Sequence, residues 1–233
     1  MGERNEQTIL VVGASSGIGE QIFNQAKANG IRVFTMGRQP VKSDGHLFFD
    51  ASSPVPDLPA DWPDSFSGLV YCPGTINLKP ITRLTSADFL TDFQVNVLGF
   101  VSVIQAMLPR LRKANGSSVL VFSTVAAKIG MGFHASISAA KGGLQSLAIS
   151  LASELAPLKI RVNVISPSLT DTKLAQNLLN TPEKREASAK RHPLQNLGNA
   201  GEIAATSLHL LGPESSWITG QIISIDGGMS SLK

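Results

Sequence analysis

Chemistry in this 233-residue chain concentrates in the segment His134-Ala135-Ser136-Ile137-Ser138-Ala139-Ala140-Lys141. It carries an imidazole, two hydroxyls and an amine. On a helix, residues three, four and seven apart share a face. Seven residues turn about 700°, which returns to within about 20° of the start. His134 and Lys141 would then look out from one face, with Ser138 the nearest hydroxyl and apolar Ile137 one turn before the lysine. Histidine exchanges protons near neutral pH, so His134 is a candidate acid. Gly130 and Gly132 leave open whether His134 lies in the helix or in a loop, where it would be an ordinary hydrogen-bonded residue. Ser138 is the weaker candidate, because a hydroxyl holds its proton too tightly to act as an efficient acid. The only tyrosine, Tyr71, lies 66 residues before Ile137.

A second constellation is the loop Val12-Gly13-Ala14-Ser15-Ser16-Gly17-Ile18-Gly19. It follows a β-branched run and opens a helical pattern, the context in which a glycine-rich loop cradles a dinucleotide. Gly13 permits a tight turn, Gly17 lets the backbone approach a pyrophosphate, and Gly19 allows close contact between helix and sheet. Exposed N–H groups and the helix dipole favour the phosphate charge. The competing reading is that a tight strand–helix turn uses glycine for steric reasons alone.

The elements that must position these groups alternate in type. Apolar runs at 8–12, 31–36, 47–49, 68–71, 118–122, 160–165 and 221–225 read as strands, with helical patterns between them, among them 19–29, 92–111 and 142–156. Near-continuous apolar strands imply a parallel sheet covered on both faces. Right-handed crossovers make it doubly wound. The expected fold is therefore α/β, a single Rossmann-like domain over 1–233 with about seven strands. Pro54, Pro56, Pro59 and Pro63 forbid a regular helix between Asp50 and Gly68. An extended connection is expected there, with Leu58, Trp62 and Phe66 packed on the sheet.

The Gly-x-x-x-Gly-x-Gly spacing, with Ser15 and Ser16 inside it, resembles the short-chain dehydrogenase/reductase family. So do Tyr71-Cys72-Pro73-Gly74, Asn96-Val97-Leu98-Gly99, the run Ile160-Arg161-Val162-Asn163 to Pro167, and Ile218-Thr219-Gly220-Gln221 through Asp226-Gly227-Gly228-Met229. The 3-oxoacyl-carrier-protein reductases are the nearest flavour. The resemblance implies an oxidoreductase that moves a hydride between a nicotinamide cofactor and a carbonyl or activated alkene. It gives Lys141 the role of holding the nicotinamide ribose, Asn96 that of supporting a water relay, and Thr124 that of polarising the substrate oxygen in place of a serine. Ser123 would substitute for Thr124 only after a backbone shift. The family's catalytic tyrosine falls at Ile137, so the chain is an atypical member. The superfamily's enoyl reductase branch sets its tyrosine seven residues before the lysine, where this chain has His134. The alternative to an enzyme is a cofactor-binding protein without turnover.

The resemblance also lays out the cofactor site. Gly13, Ser15, Ser16, Gly17, Ile18 and Gly19 would hold the pyrophosphate, Asp50 and Ala51 would border the adenine, and Gly74 would lie along the cofactor. In Pro167-Ser168-Leu169-Thr170-Asp171-Thr172, Pro167, Thr170 and Thr172 would hold the carboxamide, although Ser168 replaces the usual glycine. At the end of the second strand Gly37 stands where an acid would select NAD, and Arg38 follows it. A guanidinium there pairs with a ribose 2′-phosphate, so NADP is favoured, with NAD possible. The segment 173–197 would be a mobile substrate lid. Its cations, Lys173, Lys184, Arg185, Lys190, Arg191 and His192, suit an anionic substrate or an ordinary wet surface.

Composition bounds the partners. A net charge of +3 with scattered basic residues offers no nucleic-acid or membrane patch. No run of about 18 apolar residues is expected to span a membrane, and the polar start of the chain lacks the apolar core of a signal peptide. One cysteine, Cys72, suits a reducing cytoplasm. No metal is expected. The partner is a small-molecule substrate, and the family resemblance implies further copies of the chain, in a homotetramer or at least a dimer, through the helices at 92–111 and 142–155 and the chain end at 223–232.

Overall fold

The computed structural model describes residues 7–232; most of the polar start of the chain lies outside the described residues. Seven strands form one parallel sheet: β1 Thr8–Val12, β2 Arg32–Gly37, β3 Gly45–Phe48, β4 Gly68–Tyr71, β5 Ser117–Phe122, β6 Ile160–Pro167 and β7 Ile222–Ile225. The order is β3-β2-β1-β4-β5-β6-β7. The chain winds outward from β1 to β3, then returns to β4 and winds the other way. That reversal leaves a crevice beyond the carboxyl ends of β1 and β4, where open α/β sheets bind ligands.

Side-chain alternation along each strand divides the core in two. Leu10, Val12, Leu69, Tyr71, Val119 and Val121 face one side, Ile9, Val11, Val70 and Leu120 the other. The first side is covered by α3 (Gly99–Lys113) through Phe100, Val103 and Met107, and by α4 (Ala135–Leu155) through Leu144 and Ala148. The second is covered by Ile22 and Ala26 of a helix at Gly17–Ala28, here α1, and by Ile203 and Leu210 of a helix at Ala200–Leu211, here α6. Both faces being buried is why β1, β4 and β5 read as unbroken apolar runs. In the proline-rich crossover Trp62 and Phe66 are buried against Phe34, with Leu58 packed beside them, as expected.

Most element boundaries differ from the sequence reading by one or two residues, and three differences have a clear physical cause. The third strand lies at 45–48, not 47–49, because it pairs Gly45–Phe48 with Phe34–Gly37. The helix expected at Asp92 starts a turn and a half earlier, as α2 (Ser86–Phe93), where Thr85 and Asp88 form a reciprocal capping box. Helix α4 starts at Ala135 rather than Gly142, its glycines 142 and 143 lying inside it.

The helical run Ser86–Lys113 is long and apolar enough to cross a membrane by length and composition, although polar residues interrupt its apolar ones. The same run packs Phe100, Val103, Met107 and Leu111 against the sheet, which accounts for its hydropathy as core.

Candidate active site

A cleft of about 1060 Å³ runs along the carboxyl ends of the strands. At one end stands the turn from β1 into α1. Gly13 and Gly17 have φ of +83° and +59°, which residues with a Cβ rarely adopt. A Cβ on Gly19 would fall 2.2 Å from the Gly13 carbonyl oxygen, so helix and turn could not close as they do. α1 starts at Ser16 without a side-chain cap, whereas Thr85 caps α2 and Asn199 caps α6. Its first N–H groups are thus left to the cleft, whose wall includes Ser15, Ser16, Gly17 and Ile18.

Arg38 and Asp50 face the cleft beside this turn, followed by Ala51 and Gly74. The Arg38 guanidinium is largely exposed and 4.0 Å from the Asp50 carboxylate. Asp50 is held below the usual carboxylate range chiefly by hydrogen bonds from the Ser52 hydroxyl and N–H.

The other end holds the reacting groups. Lys141 is buried, and its ammonium donates to the Phe122 carbonyl at 2.6 Å. Burial pushes it down to about 8, with Cys72 and Asp92 opposing the shift. Thr124 lines the same wall, its Oγ1 accepting from the Ala126 N–H at 3.3 Å, which leaves its own hydrogen free for a substrate oxygen. Ser123 also lines the cleft, but its hydroxyl is committed, donating to the Lys141 carbonyl and accepting from Gln145. Ser138 donates to the Ala126 carbonyl at 2.9 Å. Asn96 lies on a single π-helical turn, Gln94–Leu98, between α2 and α3. It is fully buried behind the wall rather than in it, donating to Thr75 Oγ1 at 2.9 Å and to the Asp92 carbonyl at 2.7 Å.

Ile137 and His134 both face the cleft. His134 caps the start of α4 instead of lying within it. Its Nδ1 is 2.6 Å from the Gly132 carbonyl, so Nδ1 carries a hydrogen and Nε2 is left for a ligand. Phe133 before it has φ of +67°, and its carbonyl accepts from the Lys79 N–H, so the turn is held from both sides. A shallower hollow beside His134, walled by Ile81, Met131 and Phe133, gives the mouth an apolar side.

Pro167, Thr170 and Thr172 close the cleft beyond β6. The lid segment forms a 3₁₀ stretch, Lys173–Leu178, and α5 (Pro182–Ala189). Its cations divide. Lys173, Lys184 and Arg191 line the cleft, Arg185 pairs with Asp171, and Lys190 pairs with Glu186 at 2.6 Å. His192 is buried, and its Nε2 is 2.6 Å from Ser168 Oγ. Ser168, at a position expected to hold glycine, therefore ties β6 to the end of the lid. Neither this contact nor the buried Asp92–Thr75 pair emerged from the sequence. Asp92 lies between Thr91 and Phe93 on an amphipathic helix, and only the capping box at Thr85 would have fixed its phase.

Comparison with known proteins adds to this geometry. The family model described as Enoyl-(Acyl carrier protein) reductase matches residues 51–230. A tropinone reductase homolog of Arabidopsis thaliana is 30% identical over 240 residues, covering 95% of this chain and 92% of its own length. The ligand-free aldohexose dehydrogenase of Thermoplasma acidophilum has a TM-score of 0.87 at 25% identity, over 98% of this chain and 95% of that one. ElxO with NADP bound has a TM-score of 0.85 at 20% identity, over 97% of this chain and 100% of that one, a likeness of fold.

Proposed function

Because this chain belongs to the short-chain dehydrogenase/reductase family, we propose that it is an NADP-dependent oxidoreductase acting on a carbonyl or activated alkene with an acid other than tyrosine. The observation that carries this reading is one continuous cleft, from the uncapped start of α1 to Lys141, Thr124 and His134. The glycine cradle at 13–19 fits a dinucleotide, because side chains there would fill the space or break the turn. Bound there, a nicotinamide would supply a hydride, leaving negative charge on the substrate oxygen. The Thr124 hydroxyl would donate to that oxygen, Lys141 would hold the ribose end with N–H groups not used on Phe122, and His134, doubly protonated as the imidazolium, would give the proton from Nε2 and keep the one on Nδ1.

Arg38, with no acid at Gly37, supports NADP over NAD. A charge-assisted contact to a 2′-phosphate contributes about 1.5–3 kcal/mol. Arg38→Ala is therefore expected to weaken NADPH binding by roughly 10- to 100-fold and leave NADH unchanged, read by fluorescence titration. Equal losses for both cofactors would remove Arg38 from the selection. Oxidation of NADPH in the presence of ketones and enoyl thioesters then tests turnover. Failure to bind either nicotinamide would sink the reading altogether.

A second reading, an NADP-binding protein without turnover, is favoured by one observation. Ile137, one turn before Lys141, presents an apolar side chain to the cleft. It predicts tight binding and no oxidation of the cofactor.

The reading extends to assembly and compartment. Leu90, Phe93 and Leu98 along α2 and α3, and Ile149 of α4, are exposed apolar residues that suit a face shared between copies. Light scattering should report two or four chains, and a monomer would refute this. A reducing compartment such as the cytosol suits the single thiol of Cys72.

A further inference from the structure

We propose that Asp92 is a positioning residue for Lys141, a buried carboxylate that keeps the ammonium charged through a network with Thr75 and Asn96. The inference rests on the reading of Lys141 as a cofactor-holding group.

Asp92 is the only buried residue of α2, at 1% exposure. A carboxyl is rarely so placed without paired partners. Its Oδ1 accepts from the Thr75 hydroxyl at 2.6 Å, and Oδ2 has no partner among the described residues. Thr75 Oγ1 in turn accepts from Asn96 Nδ2 at 2.9 Å. That leaves Asn96 Oδ1 buried and unpartnered as well. A Cβ built on Gly74 would stand 3.5 Å from Asn96 Oδ1 and 3.7 Å from Lys141 Nζ. The free oxygen and the ammonium therefore border one small polar space, which Gly74 keeps open. Carboxylate, hydroxyl, amide and ammonium thus cluster at the cleft wall, Thr75 and Lys141 lining it and Asp92 and Asn96 buried behind them.

Two groups oppose the effect of burial on Lys141, Cys72 and Asp92. Burial pushes the Cys72 thiol up to about 12, so it is uncharged where the ammonium titrates. Asp92 is then the remaining group that opposes the effect of burial on Lys141. Other ionisable groups do not replace it. His134, Lys173, Lys184 and Arg191 across the cleft carry either positive charge or none, and Asp50 sits at its far end beside Arg38. Asp88 on the same helix is turned outward and paired with Lys79 at 2.6 Å.

The sign follows directly. Removing the carboxylate lowers the Lys141 midpoint, and cofactor affinity then falls at a lower pH. The test follows the Lys141 13Cε chemical shift against pH in protein carrying 13C-labelled lysine, with the signal assigned by its absence in Lys141→Arg. Asp92→Asn, which keeps shape and volume, should move the midpoint down by roughly one unit. NADPH affinity at pH 7.5 should then drop about threefold, with recovery at lower pH. Thr75→Val, which leaves the carboxylate in place but removes its hydroxyl partner, should produce a smaller shift of the same sign. It also serves where Asp92→Asn does not fold. A merely structural pair would lower the unfolding temperature while leaving the midpoint in place, and that result overturns the proposal. A shifted midpoint in a protein that binds no nicotinamide would instead overturn the cofactor reading and leave the Asp92–Lys141 coupling standing.

Discussion

Gly19→Ala is expected to abolish NADPH binding and to lower the unfolding temperature by roughly 6–12 °C. The added methyl would fall 2.2 Å from the Gly13 carbonyl oxygen, and the obstructing atom is backbone, which has no rotamer through which to yield. Forced overpacking of this kind costs about 3 kcal/mol, and in a chain of this size each kcal/mol shifts the midpoint by about 2–4 °C. Relief requires α1 to move away from the turn, and that displaces the uncapped N–H groups that face the cleft. Binding and stability should therefore fail together. Gly30→Ala separates the two. Gly30 has φ of +75° but nothing within 4 Å of its would-be Cβ, so the variant loses about 1 kcal/mol to backbone strain with binding intact. Isothermal titration beside thermal unfolding reads both quantities. Wild-type affinity in Gly19→Ala would show that the turn at 13–19 is not the phosphate cradle.

The loop's shape and its place at the head of the cleft were legible because its residues act through their own backbone. A glycine between a strand and a helix carries the same meaning wherever the chain goes next. Lys141 and Thr124 were placed at the cleft by resemblance, Thr124 two residues past the clear strand β5 and Lys141 inside α4, whose start the glycines at 142 and 143 obscured. Side chains whose roles depend on phase were harder. Asp92 follows Thr91 and precedes Phe93, and only the real start of α2 at Ser86 turns it inward. The π-helical turn at Gln94–Leu98 shifts the phase again and places Asn96 behind the cleft wall instead of in it. A single-turn change of pitch leaves no mark on hydrophobic periodicity. Ser168 and His192 lie 24 residues apart on a loop and a lid, and their contact at 2.6 Å is a product of tertiary packing. Ser136, buried with an unpartnered hydroxyl beside Ile137, is a feature for which the packing supplies no explanation.

Substitution at two positions on α4 should separate an enzyme with a new acid from a protein that has none. His134→Ala removes the one imidazole whose Nε2 is open to the cleft, while Lys141, Thr124 and the phosphate loop stay in place. Proton transfer by a positioned side chain contributes about 10²- to 10⁴-fold, so kcat should fall by at least roughly 100-fold with NADPH affinity unchanged. Unchanged turnover on a substrate that the wild type reduces would end the case for His134. Ile137→Tyr is the complement. It sets a phenol one turn before Lys141, on the helix face that lines the cleft, and an adjacent ammonium favours the phenolate form. If the site has lost only its acid, ketone reduction should rise in Ile137→Tyr by about 10-fold or more, and it should survive His134→Ala in the double variant. A wild type without turnover that gains it through Ile137→Tyr is a binding protein with its catalytic frame preserved. No gain in either background would mean that the walls around Ile81, Met131 and Phe133 no longer present a ketone to that position.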